Sequence, residues 1–467
     1  MAWGARSRWP GPWKLYDFMT PLLILLLAIL IVVGMIVGLR INAFVALITA
    51  AIVVSLLAPG DWSGKISRVA VAFGSTAGSI GIVIAMAAVI GVTMMASGAA
   101  DRIVNAFIGL LGQKRGGTAL AASGFVLSVP VFFDTVFYLL VPLARSMFTA
   151  TGRDYLKYVV AIAAGAAATH ALVPPTPGPL VIAENLSIDL GTLIIVGALV
   201  ALPATMLGLF YAGWLNNKMP VPMRDVPGVK TENAALKTLP SLATSVLPIA
   251  LPVVLISGKT VFLPIMDNSS VAAHWIMILG DPNMALLLAG IAATALYIRM
   301  RRPSRESLSQ LLEQSLMSGG LIILITAAGG TFGAMLKEAQ IGPAISSMFA
   351  DSSQTSGMAM LLLGFGIASL LKFAQGSSTV AMITASAMLG AMITPASLGF
   401  NVVYVGTAIG AGSLVGSWMN DSGFWIYAKM SGLTEVETLK SWSLLLVILG
   451  VTGGLVTLFL SWIMPLA

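Results

Sequence analysis

The sequence predicts an all-α membrane protein that crosses the bilayer many times. Of its 467 residues, 58% are hydrophobic and only 9% are charged, and the mean hydropathy is +0.96. Apolar runs long enough to span a bilayer follow one another along the chain, and 48 glycines and 23 prolines are spread among them. Because lipid cannot satisfy backbone polar groups, helices are the expected spanning elements, and the glycines and prolines predict that some of them are interrupted.

The rare residue types exclude several kinds of site. The chain has no cysteine, which excludes disulfides, thiolate metal sites and cysteine catalysis. Its two histidines, His170 and His274, are far apart in sequence, so we expect neither a metal site nor a cofactor. The formal net charge of +7 is ordinary for a membrane protein with basic cytoplasmic loops. We therefore expect a lipid bilayer around the protein and no nucleic-acid partner.

The most informative stretch is 169–179, which reads THALVPPTPGP and interrupts an apolar helix predicted over 156–186. Proline lacks a backbone N–H, so this many prolines must break a helix. In lipid the freed backbone groups would cost several kcal/mol each, unless protein encloses the break or the break lines a cavity. We interpret 156–186 as a broken helix at the binding site of a transporter, with His170 at its edge.

The first half of the chain, 20–215, places a second irregular segment just before this broken helix. Segment 116–147 is apolar but contains Ser128 and Asp134 near its middle, where a spanning helix should be uninterrupted. We interpret it as a re-entrant hairpin, which enters and leaves the membrane on the same side.

The second half, 243–467, repeats this order of elements. An interrupted apolar segment at 357–394 predicts a second re-entrant hairpin, and a glycine-rich segment at 401–431 predicts a second broken helix. Each half has about five crossings, and an odd number inverts the second copy, so we predict an inverted repeat. A polar cytoplasmic linker, 216–242, joins the halves, and 1–19 is an N-terminal segment before the first crossing.

Basic residues indicate the orientation, because cytoplasmic loops are enriched in lysine and arginine. If both termini lie outside, most of the 25 lysines and arginines face the cytoplasm, including the cluster at 299–305. Arg6, Arg8 and Lys14 oppose this assignment. We expect a multi-pass protein of the bacterial inner membrane.

Asp134 and His170 are the first candidates for chemistry. A carboxylate within the membrane pairs, takes up a proton or binds an ion, and burial favours the neutral acid, so Asp134 is a candidate proton carrier. Alternatively, it only caps a half-helix. His170 could relay a proton or bind an anionic substrate, or it could only satisfy a carbonyl that the prolines free. Thr169 and Thr176 are weaker candidates, because threonine often bonds its own helix.

The centre of the second hairpin, 375–379, suits an anion. Gly376 lets the backbone approach a ligand, the hydroxyls donate, and helix N-termini at a hairpin tip carry partial positive charge. The candidate residues are Gln375, Gly376, Ser377, Ser378 and Thr379. Since neither tip contains an arginine, we expect recognition by dipoles rather than by a full ion pair. The alternative is that these small residues only pack helices together.

The second broken helix contributes Asn420 and Asp421. Asn420 is a candidate contact for substrate hydroxyl groups. Asp421 could couple an ion, or it could be an ordinary helix cap, since aspartate and serine are common there.

The chain resembles the gluconate permease (GntP-type) family of sugar-acid:proton symporters over nearly its whole length from about residue 20. The matching motifs are THALVPPTPGP at 169–179, LGDP at 279–282, GSSTVA at 376–381, NDSGFW at 420–425 and ETLKSWS at 437–443. The resemblance implies the fold of the ion transporter superfamily, in which a mobile transport domain with two hairpins moves against a scaffold by an elevator motion. Scaffolds of this kind often dimerise, so a homodimer is expected.

The chain departs from characterised gluconate carriers at three positions of this pattern. They tend to have glutamate where Asp134 stands, histidine at Thr176 and glycine at Ala171. Relatives carry other sugar acids, and one branch carries D-serine. The resemblance therefore implies a small anionic substrate without naming it.

The leading hypothesis is proton-coupled uptake of gluconate or a related hydroxylated carboxylate, with Asp134, His170 or Asp421 carrying the proton. A sodium-coupled carrier of the same fold is the nearest rival, and a passive channel is a third option. A membrane-embedded hydrolase using Asp134 with Asp421, or serine with His170, is disfavoured, because the sequence has no G-x-S-x-G and no H-E-x-x-H motif. No catalytic residue is therefore assigned.

Overall fold

The computed structural model describes residues 12–112, 115–224, 238–267, 270–341, 356–393, 398–419 and 421–466. Throughout these ranges the chain is helical with connecting turns and contains no strand, which confirms the all-α prediction. The helices of the first half are Pro12–Val33, Ala43–Leu57, Lys65–Ser97, Ala99–Leu111, Gly116–Leu127, Phe133–Thr151, Tyr155–Leu172, Pro177–Leu186 and Leu190–Lys218. Those of the second half are Leu242–Phe262, Val271–Leu279, Pro282–Arg301, Arg305–Glu338, Ser356–Gln375, Ser378–Met392, Val403–Gly412, Ser422–Ser431, Glu435–Thr438 and Leu444–Ile463.

Among the described residues, seven helical stretches are long and apolar enough to cross a membrane. They are Trp62–Ser97, Tyr155–Leu186, Leu190–Lys218, Leu242–Ile265, Pro282–Arg301, Arg305–Glu338 and Glu435–Ile463. Shorter apolar helices accompany them, such as Ala43–Leu57 before the first stretch and Gly116–Leu127 between the first two. The protein is therefore a multi-pass membrane protein.

Four interrupted elements lie where the sequence predicts them. Helix pair one is Gly116–Leu127 with Phe133–Thr151, and broken helix one is Tyr155–Leu172 with Pro177–Leu186. Helix pair two is Ser356–Gln375 with Ser378–Met392, and broken helix two is Val403–Gly412 with Ser422–Ser431. In broken helix one the interruption falls on residues 173–176, as the prolines predict.

The helices that precede these elements also correspond between the halves. Lys65–Ser97 has 33 residues and Arg305–Glu338 has 34, and the two pack against each other. The first helix of each helix pair packs on the first part of the broken helix that follows it.

A glycine makes this last contact close in both halves. A Cβ atom on Gly165 would collide with the carbonyl oxygen of Ala121, and one on Gly412 would collide with that of Phe365. Only glycine lets the two backbones come this near.

The structure describes only parts of the predicted N-terminal segment and of the predicted linker. Residues 12–19 of the predicted N-terminal segment belong to the helix Pro12–Val33, and residues 1–11 lie outside the described ranges. The first three residues of the predicted linker 216–242 complete the helix Leu190–Lys218, and 225–237 are not described.

The described start of the linker is bound to the second half of the chain. Arg224 donates to both carboxylate oxygens of Glu437, at 2.6 and 2.8 Å, and to the carbonyl of Gly432 at 2.8 Å. The hydrogen bonds to Glu437 and its negative charge raise the pKa of the Arg224 guanidinium above its ordinary value. Arg145 of helix pair one donates to the Arg224 carbonyl at 2.7 Å. The linker therefore connects helix pair one to the segment that follows broken helix two.

Candidate functional site

A cavity of about 140 Å³ lies where helix pair one, both broken helices and helix pair two meet. The first half of the chain lines it with Phe133, Asp134, Ala167, His170 and Ala171. The second half lines it with Lys372, Ser377, Ser378, Thr379, Leu414, Asp421, Ser422, Gly423, Trp442 and Leu446. Pockets for drug-sized ligands measure roughly 300–1,000 Å³, so this volume suits a small polar metabolite.

Three helices begin at the wall of this cavity. Asp134 lies in the first turn of Phe133–Thr151, Ser378 is the first residue of Ser378–Met392, and Ser422 is the first residue of Ser422–Ser431. The N-terminus of a helix carries partial positive charge and free N–H groups. Three such termini around one small space favour an anionic ligand.

The wall from the first half carries the proline break. Thr176 donates its hydroxyl to the carbonyls of His170 and Val173, at 2.9 and 2.8 Å, and so satisfies acceptors that the break frees. Within the described part of the chain, His170 Nδ1 is buried without a hydrogen-bond partner. The His170 ring lies 6.3 Å from that of Phe132, edge to face. No described residue makes a hydrogen bond or ion pair with the carboxylate of Asp134.

The wall from the second half contains a buried ion pair. Lys372 Nζ lies 2.7 Å from Asp421 Oδ2, and the two side chains are 2% and 9% exposed. Lys372 also donates to the carbonyl of Gly376 at 2.7 Å. The pair joins the last turn of the first helix of helix pair two to the start of the second part of broken helix two.

Asp421 holds further groups in place. Its Oδ1 accepts from the backbone N–H of Gly423 at 2.9 Å, so Asp421 is the helix cap that the sequence offered as an alternative. Ser417 donates its hydroxyl to Asp421 Oδ2, and Trp442 donates its indole N–H to Ser417 Oγ at 2.7 Å. A chain of hydrogen bonds therefore runs from Lys372 to Trp442 in the final helical segment.

The structure brings half of the predicted site residues together. Asp134, His170, Ser377, Ser378, Thr379 and Asp421 all line the cavity. Four further candidates are described but do not belong to its lining: Ser128, Thr169, Thr176 and Gly376. The hydroxyls of Ser128 and Thr169 are buried and have no described partner. Asn420 and the side chain of Gln375 lie outside the described residues.

Nine of the 15 lining residues were not predicted as part of the site, among them Lys372 and Trp442. The expectation of recognition by dipoles considered only the absence of arginine, and the structure adds a full positive charge at the wall, that of Lys372, one helical turn before Gly376. The sequence does carry a signal for it, since a lysine inside an apolar segment is a functional candidate by default. Trp442 lies at the start of a long apolar run, where tryptophan is also an ordinary interfacial residue, so its sequence position alone does not distinguish it.

The buried polar cavity between two sets of interrupted helices, within a multi-pass bundle, defines a membrane transporter. A solved structure of that class has the same fold. The YdaH transporter of Alcanivorax borkumensis matches with a TM-score of 0.64 at 15% identity, over 96% of this chain and 99% of the other.

The chain belongs to the GntP permease family, whose model matches residues 20–463. An uncharacterised permease of Haemophilus influenzae is 32% identical, over 94% of this chain and 92% of its own. A gluconate permease of Pseudomonas aeruginosa is 30% identical, over 90% of this chain and 93% of its own. The family resemblance of the motifs is thereby confirmed, and the protein is a permease and not an enzyme.

Proposed function

We propose that this permease imports gluconate, or a closely related hydroxylated carboxylate, together with a proton. The observation that carries the proposal is the composition of the cavity, where a lysine, two acids, a histidine and four hydroxyl residues surround a space for one small molecule. The three helix N-termini add a preference for an anion. A relative 30% identical over 90% of the chain is named a gluconate permease.

The two walls suit the two ends of such a substrate. The carboxylate rests at the wall from the second half, against the start of Ser378–Met392 and the hydroxyls of Ser377, Ser378 and Thr379. The Ser378 hydroxyl already donates to the carbonyl of Ser413 at 2.9 Å, so it can donate to the carboxylate only by leaving that carbonyl. The hydroxyl groups of the substrate face Asp134 and His170.

Transport then requires that the cavity open to each side of the membrane in turn. We propose that the halves 20–215 and 243–467 form an inverted repeat, with helix pairs one and two as re-entrant hairpins. An elevator motion of these pairs against a scaffold, which forms a homodimer, gives alternating access. Both termini lie on the outer side of the bacterial inner membrane, opposite the cytoplasm. Asp134, His170 or Asp421 carries the proton.

Uptake into proteoliposomes tests the proposal. Purified protein is reconstituted, and accumulation of radiolabelled gluconate is measured with and without an imposed inward proton gradient. We expect accumulation above the external concentration only with the gradient. Accumulation that does not depend on the proton gradient but disappears when choline replaces sodium would show that the carrier is coupled to sodium. Uptake of D-serine in place of gluconate would reassign the substrate, and equilibration without accumulation would indicate a channel.

The variant Asp134→Asn tests the proton carrier. We expect it to lose accumulation driven by the proton gradient while keeping exchange of labelled for unlabelled gluconate, which needs no net proton movement. Asp61→Asn, at an exposed acid whose carboxylate bonds only Ser63 among the described residues, is the matched control and should transport normally. Gradient-driven accumulation that survives in Asp134→Asn would assign the proton to another group.

A further inference from the structure

Lys372 is a buried charge with more hydrogen-bond donors than its described contacts use. An ammonium has three N–H donors and no acceptor. Among the described residues it makes two hydrogen bonds, to Asp421 Oδ2 and to the carbonyl of Gly376, both at 2.7 Å. It nevertheless lines the cavity while its side chain is only 2% exposed. One donor therefore remains at the wall of the site.

We propose that Lys372 is the residue that binds the substrate carboxylate, and that Asp421 is the positioning residue that holds the Lys372 ammonium at the cavity wall. This inference rests on the proposed function and assigns its substrate contact. A carboxylate that enters a buried cavity loses its hydration, and a fixed cation compensates that loss better than partial charges do. Lysine suits this role, because its charge is compact and its donors rotate towards a second acceptor.

The contacts of Asp421 separate it from the proton carriers. It accepts from Lys372, Ser417 and the Gly423 N–H, so taking up a proton would disturb the ion pair, the Ser417 contact and the helix cap together. The titratable or charged groups that face the cavity are Asp134, His170, Lys372 and Asp421. Of the two acids, Asp134 has no described partner, so it is the acid free to take up the proton that accompanies the anion.

Removing both charges of the ion pair shows whether Lys372 binds the substrate or only stabilises the fold. Lys372→Gln alone leaves Asp421 without its cation in a buried site and should destabilise the fold, whereas Lys372→Gln with Asp421→Asn replaces the pair by two neutral amides. Gluconate affinity is measured by calorimetry on purified protein, and folding by thermal unfolding and size-exclusion chromatography. We expect the double variant to fold like the parent and to bind gluconate at least tenfold more weakly. Gluconate affinity equal to that of the parent would overturn the inference, because the pair would then be structural only.

A ligand series on folded protein provides a second measurement that needs no truncation. Gluconamide has the same hydroxyl chain but a neutral amide in place of the carboxylate. The parent and the charge-preserving variant Lys372→Arg should both prefer gluconate to gluconamide by at least tenfold, and the double variant should lose this preference. Equal affinity of the parent or of Lys372→Arg for the two ligands would overturn the role of the cation.

Failure of the inference and failure of the proposed function give different results. If the parent protein binds gluconate and the double variant binds it equally well, only the assignment of Lys372 falls. If the parent binds neither gluconate, nor other hexonates, nor glycerate, the proposed substrate class is wrong, and so is the role assigned to Lys372.

Discussion

Broken helix one and broken helix two satisfy their freed backbone groups in different ways. At the first, the hydroxyl of Thr176 returns to the carbonyls of His170 and Val173, so the break is closed by a residue of its own segment. At the second, side chains of helix pair two supply the donors. Ser369 donates to the carbonyl of Gly412 at 3.1 Å, and Ser378 donates to that of Ser413 at 2.9 Å.

The ion pair also links the second break to helix pair two. Lys372 of helix pair two reaches Asp421, which caps the second part of broken helix two. The first break is therefore a local structure, whereas the second forms one unit with helix pair two. A change at the second break should affect both stability and ligand binding, whereas a change at Thr176 of the first break should be mild.

The largest expected effect is that of Lys372→Met alone. It leaves the Asp421 carboxylate buried without its cation, and breaking one side of such a pair costs about 3–5 kcal/mol. Thermal unfolding in detergent should show a large loss of stability. The matched control is Glu338→Gln at the pair with Arg68, where the atoms are 3.5 Å apart and Glu338 is 56% exposed. An exposed pair contributes about 1 kcal/mol or less, so equal losses for the two variants would contradict the comparison.

A smaller effect is expected for Trp442→Phe. The ring keeps its place beside Phe133 and Tyr427, whose centroids lie 4.9 and 5.4 Å away, but the hydrogen bond to Ser417 is lost. We expect a loss of about 1 kcal/mol in the free energy of unfolding, together with weaker gluconate binding, because Ser417 bonds Asp421. The control is Trp425→Phe, whose more exposed indole bonds the carbonyl of Met419. If the two variants behave alike, the chain from Trp442 to Lys372 has no special role.

Thr176→Val tests the first break. The side chain is 2% exposed, and valine keeps its shape while removing the hydroxyl that serves two carbonyls. We expect a loss of about 1 kcal/mol in stability with gluconate affinity within a factor of two or three. Thr176→Ser retains the hydroxyl and should restore stability. A tenfold loss of affinity in the valine variant, absent in the serine variant, would show that the first break is not local.

The smallest effect is expected at the linker, for Arg224→Gln. The pair with Glu437 has two short contacts, but its side chains are 39% and 18% exposed, so solvent screens it. We expect the free energy of unfolding to fall by at most about 1 kcal/mol. This difference from the parent should shrink as the salt concentration is raised from low to near-molar values. A difference that does not change with salt would mean that the contact acts through packing rather than charge.

The sequence predicts the positions of the breaks because their causes are local. Prolines 174 and 175 terminate a helix wherever they occur, and a serine before an apolar run caps one, as Ser377 does. Paired interrupted segments also imply a common centre, which would bring Asp134 near 377–379. The structure places these residues in the lining of one cavity, and their role there stays a prediction.

The partners within the second wall could not be predicted in this way. Lys372 and Asp421 are 49 positions apart, and no local rule says that the last turn of one helix reaches the cap of another. Thr169 and Thr176 show the converse. Thr169 precedes His170 and Thr176 donates to its carbonyl, yet neither lines the cavity, because the orientation of a side chain around a break depends on packing and not on proximity in sequence.

The two glycines at the backbone contacts have a consequence for how this permease can acquire new substrates. At Gly165 and Gly412 even one methyl group would strike a neighbouring carbonyl, so each helix pair is locked to the first part of its broken helix. In a scan of all single substitutions, both positions should tolerate almost nothing. Thr379 lines the cavity and is not one of these contacts, so a change there can alter specificity while the architecture stays fixed.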